Sequence, residues 1–365
     1  MTPSKRSKHV SPGELREKIA QMLLIGFRGL EIDRDSSIAR DLRERNLGGV
    51  ILFDEECADL STKSRNIQSP AQLTTLVTQI RTCAGAPPLI AIDQEGGWVN
   101  RLKPRLGFPP TTSAADLGAA NDLGQTFVQA SAIARNLAGL GINLNLAPVL
   151  DLDAKSEQSI ISAKRRSFSS EAETVARHAL EFCRAHREHG VLVCGKHFPG
   201  HGSARGDTHL GLVEITDTWS EAELVPYQRL IERNGCQLIM TAHVIHRRLD
   251  PEWPATLSKP VVTGLLRERL GFQGIVMSDD MQMGAISRNY GMAIALERAI
   301  NAGIDLLCFA NNSEFDSDIA TKAIDLIVDL VEQGRIAESR IEESFLRIQK
   351  LKANAPTSAR TTLRQ

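Results

Sequence analysis

Eight short apolar runs, separated by helical segments, constrain this chain more than any other feature. They lie at 23–27, 48–53, 88–92, 142–146, 191–195, 238–241, 274–277 and 305–309. Brief apolar runs closed by Gly, Pro or charged residues suit strands buried on both faces. The segments between them carry helical periodicity. In 70–83, Leu73, Leu76, Val77 and Ile80 share one face, and Ser11-Pro12-Gly13-Glu14 is a helix N-terminus signature. Helices are expected over 114–140, 171–189, 220–233, 260–270, 293–302, 317–332 and 340–352. Strand–helix alternation predicts a parallel sheet with helices outside it. Eight repeats predict closure into one (β/α)8 barrel of the TIM type, an α/β fold over residues 11–354 with polar tails at 1–10 and 355–365. An open doubly wound sheet is the alternative, but no Gly-x-Gly-x-x-Gly follows the first run.

Apolar residues make up 42% of the 365-residue chain, enough for the large core that a barrel needs. With 43 basic against 44 acidic residues the net charge is −1, so neither nucleic acid nor an anionic membrane is expected as a partner. The six cysteines form no Cys-x-x-Cys pair and several sit within apolar runs, which suits a reducing compartment. The basic, polar first ten residues do not read as a signal peptide, and no run reaches the ~18 residues of a membrane span. The expectation is a cytoplasmic monomer.

Polar residues follow the apolar runs in a pattern. Arg28, Asp54, Asp93, Asp151, Lys196-His197, His243, Asp279 and Asn311 all stand at or just after the end of a run. In a barrel these ends converge on one face, where catalytic sites of such folds lie. The fifth run leads into Lys196-His197-Phe198-Pro199-Gly200-His201-Gly202-Ser203-Ala204-Arg205-Gly206-Asp207-Thr208-His209, which holds three of the nine histidines. Its ionisable content reads as a mobile surface loop, with Lys-His at its base and Asp-x-His at its tip.

Two chemistries suit this ring. One is metal-assisted hydrolysis, with ligands from His197, His201, Asp207, His209, His243 and Asp279; the first run, however, lacks a His-x-His pair. The other is glycosyl transfer through a carboxylate, which needs one ionised acid beneath the anomeric carbon and one proton donor at the leaving oxygen. Asp279 is the candidate nucleophile, because it closes an apolar run; its neighbour Asp280 points elsewhere. His209 is the candidate acid/base, since an imidazole exchanges protons near neutrality, and Asp207 can orient it.

The motifs Lys196-His197-Phe198-Pro199-Gly200-His201-Gly202, Asp207-Thr208-His209, Asp93-Gln94-Glu95-Gly96-Gly97, Arg166-Ser167-Phe168 and Ser278-Asp279-Asp280-Met281 together resemble glycoside hydrolase family 3. Within it they are most similar to the single-domain bacterial β-N-acetylglucosaminidases of peptidoglycan recycling, over roughly residues 14–352. The resemblance implies a retaining exo-glycosidase that releases N-acetylglucosamine, from muropeptides, without cofactor or metal. It implies Asp279 as nucleophile and His209 with Asp207 as acid/base. Asp93, Arg101, Arg166, Lys196 and His197 would hold the sugar, as charged and bidentate groups suit buried hydroxyls.

The chain departs from the family pattern twice. Trp98 stands where the motif carries Arg, and 160–165 replaces the usual approach to Arg166. Both bear on the part of the substrate beyond the glycone. Phosphate as acceptor, another sugar specificity, or a non-catalytic sugar-binding barrel are the alternatives on the same site.

Overall fold

A computed structural model describes residues 11–56, 64–208, 211–312 and 314–354. The tails expected at 1–10 and 355–365 lie outside the described residues, as does His209. The eight runs become eight parallel strands: β1 (Leu23–Gly26), β2 (Gly49–Leu52), β3 (Leu89–Ile92), β4 (Leu144–Asn145), β5 (Leu192–Phe198), β6 (Leu238–Thr241), β7 (Ile275–Asp280) and β8 (Leu306–Phe309). Each pairs with its neighbours in sequence, and β1 closes the barrel against β8, with Leu23 opposite Leu307. Nearly every strand residue is buried, because the barrel interior lies on one face and the helices on the other.

Closure depends on side chains near the β1–β8 seam. A Cβ on Gly26 would stand 2.0 Å from the Ala310 carbonyl oxygen, so only glycine fits there. Buried Arg65 donates to the carbonyls of Phe27 at 2.8 Å and Ala310 at 2.6 Å. Asn311 donates to the Gly26 carbonyl at 2.9 Å. The opposite end is held by Asp305, which pairs with Arg267, Arg340 and Arg347.

The helices follow the expected periodicity with some differences. Ser11 caps the first by accepting the Glu14 amide, and the helix Pro70–Cys83 has the expected bounds. The single helix expected over 114–140 is two, Ala114–Ala120 and Leu123–Leu140. Asn121 ends the first in a left-handed conformation at φ 49°, and Asp122 caps the second through the Gln125 amide. The segment Pro260–Arg269 is a π-helix.

Two strands run further than their apolar residues. β5 continues through Lys196, His197 and Phe198, and β7 continues through Asp279 and Asp280. Residues 196–202 are all buried, which corrects the surface placement expected for the first half of this stretch, whereas Arg205 is exposed and Gly206 and Asp207 are half-buried. Charge is tolerated in the buried half because Lys196 meets Asp93 and Glu95 and the His197 ring meets Asp151. Gly202 is packed so closely that a Cβ would lie 1.9 Å from the Leu152 carbonyl oxygen.

Candidate active site

The site begins at the end of β3. Asp93 leaves the strand, and a short antiparallel ribbon, Gln94–Gly96 with Val99–Asn100, brings the chain back to Arg101. Buried Gln94 fixes this ribbon. Its Oε1 accepts the amides of Arg101 and Leu102, both at 3.1 Å, and its Nε2 donates to Asn100. The turn therefore returns Arg101 beside Asp93, at 3.3 Å.

Lys196 reaches this corner from β5. Its Nζ lies 2.8 Å from Asp93 and 2.7 Å from Glu95. Arg166 grips Glu95 through Nε at 2.9 Å and Nη2 at 2.7 Å. The same Nη2 stands 3.2 Å from His197 Nε2, and His197 Nδ1 lies 2.7 Å from Asp151. The ionised Asp151 and the Arg166 donor assign the tautomer: Nδ1 carries the proton and Nε2 accepts. All five expected sugar-binding positions thus stand on one continuous network: Asp93, Arg101, Arg166, Lys196 and His197.

Two members of that network were not among the expected binding residues. Glu95 joins Lys196 to Arg166, and Asp151 holds His197 and accepts the His201 amide at 2.7 Å. Glu95 lies within the Asp93-Gln94-Glu95 motif, and Asp151 follows the fourth apolar run. Both signals were visible in the sequence, but only the fold joins them to a lysine and a histidine.

Burial alone would raise these carboxyls, yet their neighbours hold them down. Arg166 and Lys196 outweigh burial at Glu95 and bring it to about 2. Burial at Asp93 is overcome by Lys196 and Arg101, and at Asp151 by His197 and His201. Burial disfavours the Lys196 charge, but Asp93 and Glu95 raise its pKa. The wall is therefore ionised, preorganised and nearly charge-balanced across neutrality.

The two carboxyls at the end of β7 have different tasks. Asp280 is buried, and its Oδ1 accepts the amides of Gln282 and Ala310, both at 3.0 Å. Asp279 is half-buried, and its Oδ1 accepts the Asp280 amide at 2.8 Å. Burial pushes the Cys194 and Cys308 thiols well above the usual range, with Cys236 the next influence at Cys194 and Asp280 the next at Cys308. Asp93 and Asp279 both stand at the C-terminal ends of parallel barrel strands, and so on the same face of the barrel.

Asp207 lies on the loop that leaves β5. The neighbouring Thr208 carbonyl accepts the Ala285 amide at 3.2 Å, which ties the loop to the turn after β7. His201 Nε2 lies 3.4 Å from Thr208 Oγ1, joining the loop's two ends. Burial lowers the His201 pKa to about 4, so its ring is neutral.

Of the other strand-end residues, Asp54 reaches the network through Arg101, and the rest have partners elsewhere. His243 is buried, with Nδ1 2.9 Å from Thr256 Oγ1 and Nε2 3.0 Å from the Asp280 carbonyl. Asn311 serves the β1–β8 seam. Arg28 stacks on Phe315 at 4.6 Å. Asp54 joins Lys103 at 2.6 Å and Arg101 at 3.7 Å. Among the described residues no group of three or more His, Cys, Asp or Glu is arranged to hold a metal. Trp98, on the ribbon's turn between Glu95 and Arg101, is 68% exposed.

Residues 14–351 match the glycosyl hydrolase family 3 N terminal domain. A beta-hexosaminidase of Tolumonas auensis is 38% identical over 303 residues, covering 80% of this chain and 83% of that protein. Beta-hexosaminidase A of Pseudoalteromonas piscicida is 32% identical over 86% of this chain, which spans only 54% of its length. The glycoside hydrolase family 3 beta-N-acetylglucosaminidase of Paenibacillus sp. FPU-7 superposes with a TM-score of 0.84 at 36% identity, over 93% of this chain and 62% of that one. Beta-N-acetylhexosaminidase from Beutenbergia cavernae gives a TM-score of 0.82 at 28% identity, over 95% of this chain and 100% of that one. No helix among the described residues is long and apolar enough to cross a membrane. The chain is a glycoside hydrolase belonging to family 3.

Proposed function

We propose that the protein is a retaining exo-β-N-acetylglucosaminidase that removes terminal β-linked N-acetylglucosamine, with cell-wall muropeptides as its source in the cytoplasm. The observation that carries this reading is the pairing of an accessible Asp279 at the end of β7 with the ionised wall of Asp93, Glu95, Lys196 and Arg166. The relatives' names support the substrate class.

In the proposed reaction, an Asp279 oxygen attacks the anomeric carbon as the glycosidic C–O bond breaks. His209 gives its proton to the departing oxygen. The same imidazole then takes a proton from water, whose oxygen displaces Asp279 and restores the starting configuration. Asp207 orients the imidazole and stabilises its charged form. Asp93, Arg101, Arg166, Lys196 and His197 bind the glycone hydroxyls.

A glycoside panel with product-anomer analysis tests this reading. N-acetylglucosaminides are expected to be cleaved far better than glucosides or xylosides, because a pocket of buried charged groups loses pairing when a hydroxyl or amide is misplaced. The first product should be the β-anomer, and added phosphate should yield no sugar 1-phosphate. A preference for glucosides, or an inverted product, would overturn the proposal. Release of N-acetylglucosamine from a muropeptide digest tests the proposed source.

Replacing His209 by alanine is expected to slow substrates with poor leaving groups about 10²–10⁴-fold, while activated aryl glycosides lose much less at glycosylation. Asp207→Ala should follow the same trend. Equal losses on both substrate classes would remove His209 from the acid role.

Trp98→Arg is expected to change kcat/KM among aglycones by about tenfold and leave glycone preference within about twofold. The exposed indole sits on the ribbon turn, whereas the glycone residues Asp93 and Arg101 lie at the ribbon's base. A switch in glycone preference would contradict this placement.

A further inference from the structure

Three successive residues at the end of β5 are met by the segment that follows the Asp207 loop. Phe198 and Tyr227 meet edge to face, with ring centroids 5.1 Å apart. The Trp219 indole donates to the Pro199 carbonyl at 2.9 Å. Glu223 fills the space beside Gly200, where a Cβ would lie 2.4 Å from Glu223 Oε2 and 2.7 Å from its Cβ. Gly200 has φ +120°, so the root of the loop depends on both the missing side chain and the glycine backbone.

Glu223 is the unexpected member of this clamp. It is 3% exposed, its Oε2 lacks a hydrogen-bond partner, and it forms no ion pair with a described residue. The Tyr227 hydroxyl is also buried without a hydrogen-bond partner. The carboxyl faces the Ser203 hydroxyl and the amides of Gly202 and Ser203; the titratable groups coupled to it are Asp151 and Tyr227. Two carboxyls buried in one region do not both ionise readily. Asp151 accepts from the His197 ring and from the amides of His197 and His201, so the negative charge resides there.

We propose that Glu223 is a positioning residue for the loop carrying Asp207: as a neutral acid seated against Gly200 and Ser203 it keeps the root of the loop closed, and its ionisation beside Asp151 loosens it. Burial is the main influence that raises Glu223 to about 7, with Asp151 adding to it and Ser203 opposing it. The proton is therefore held below neutrality and lost as pH rises through that value. That the loop serves catalysis rests on the function proposed above; the clamp does not.

Hydrogen exchange over 199–208 on the intact chain without substrate tests the clamp, after correction for intrinsic pH dependence. The wild type is expected to exchange about threefold or more faster at pH 8.5 than at pH 6. Glu223→Gln keeps a neutral side chain of similar shape and should hold its pH 6 protection across that range. Parallel curves for the two proteins overturn the proposal. If the variant does not fold, carboxyl-¹³C glutamate NMR of the wild type decides. A glutamate titrating near neutrality together with the loop amides supports the clamp, and none titrating above pH 6 overturns it. Kinetics separate the two readings. At pH 8.5 the variant's kcat should exceed that of the wild type about threefold, with KM moving less. Exchange as expected with coincident kcat profiles would support the clamp and contradict a catalytic role for the loop.

Discussion

Asp279→Asn is expected to lower kcat by about 10³–10⁵-fold while the fold survives. Asparagine retains an Oδ1 that can accept the Asp280 amide, so the local turn keeps the 2.8 Å hydrogen bond seen for aspartate. What disappears is the nucleophilic oxygen charge that would form the glycosyl–enzyme bond. Circular dichroism and thermal melting should therefore match the wild type closely. Asp280→Ala should behave differently, since the Asp280 carboxylate caps the amides of Gln282 and Ala310 and its removal uncouples β7 from the end of β8. A large loss of melting temperature in Asp279→Asn, or high residual activity, would count against the assignment.

Lys196→Met is expected to have the second largest effect, on stability as well as rate. The ammonium is buried between Asp93 and Glu95, at 2.8 and 2.7 Å. Deleting one partner of a buried ion pair leaves charge uncompensated, a loss of about 3–5 kcal/mol. For a chain of this size that corresponds to a melting temperature about 5 °C lower. The deficit should depend on pH. Glu95 is depressed to about 2 in the folded protein, so its contribution is present above the ordinary carboxylate range and fades as pH falls from about 4.5 towards 2. In the variant Asp93 and Glu95 can take up protons at higher pH, so the gap from wild type should narrow in acid. Melting curves from neutrality down to pH 4 would show this, and a gap that does not vary with pH would contradict it. The wall proposed to bind the sugar should fail with the fold's local order, so kcat/KM should fall by more than the fraction unfolded explains.

The architecture was legible because eight buried runs alternate with helices, and burial on both faces leaves a strand few polar residues. Strand ends were less legible. Lys196 and His197 look like loop residues in sequence, yet they remain in β5 because Asp93, Glu95 and Asp151 lie across the barrel mouth. A local reading sees charge and cannot see its distant partner. The same limit explains His243 and Asn311, whose side chains bind Thr256, the Asp280 carbonyl and the Gly26 carbonyl. Glu223 was hidden in an ordinary helical stretch, whereas Glu95 stood in view within a motif but without its distant partners Lys196 and Arg166. The break at Asn121-Asp122 was readable from capping chemistry, but the apolar periodicity on both sides ran through it.

The central claim is that Asp279 becomes covalently bound to the sugar. Incubation with 2-acetamido-2-deoxy-5-fluoroglucosyl fluoride, followed by mass spectrometry of the intact chain and its peptides, tests this most directly. The account predicts one added fluorosugar, located on Asp279, with turnover restored as the adduct hydrolyses. Labelling at Asp280 or another acid, or no adduct together with an inverted product anomer from a natural substrate, would contradict it.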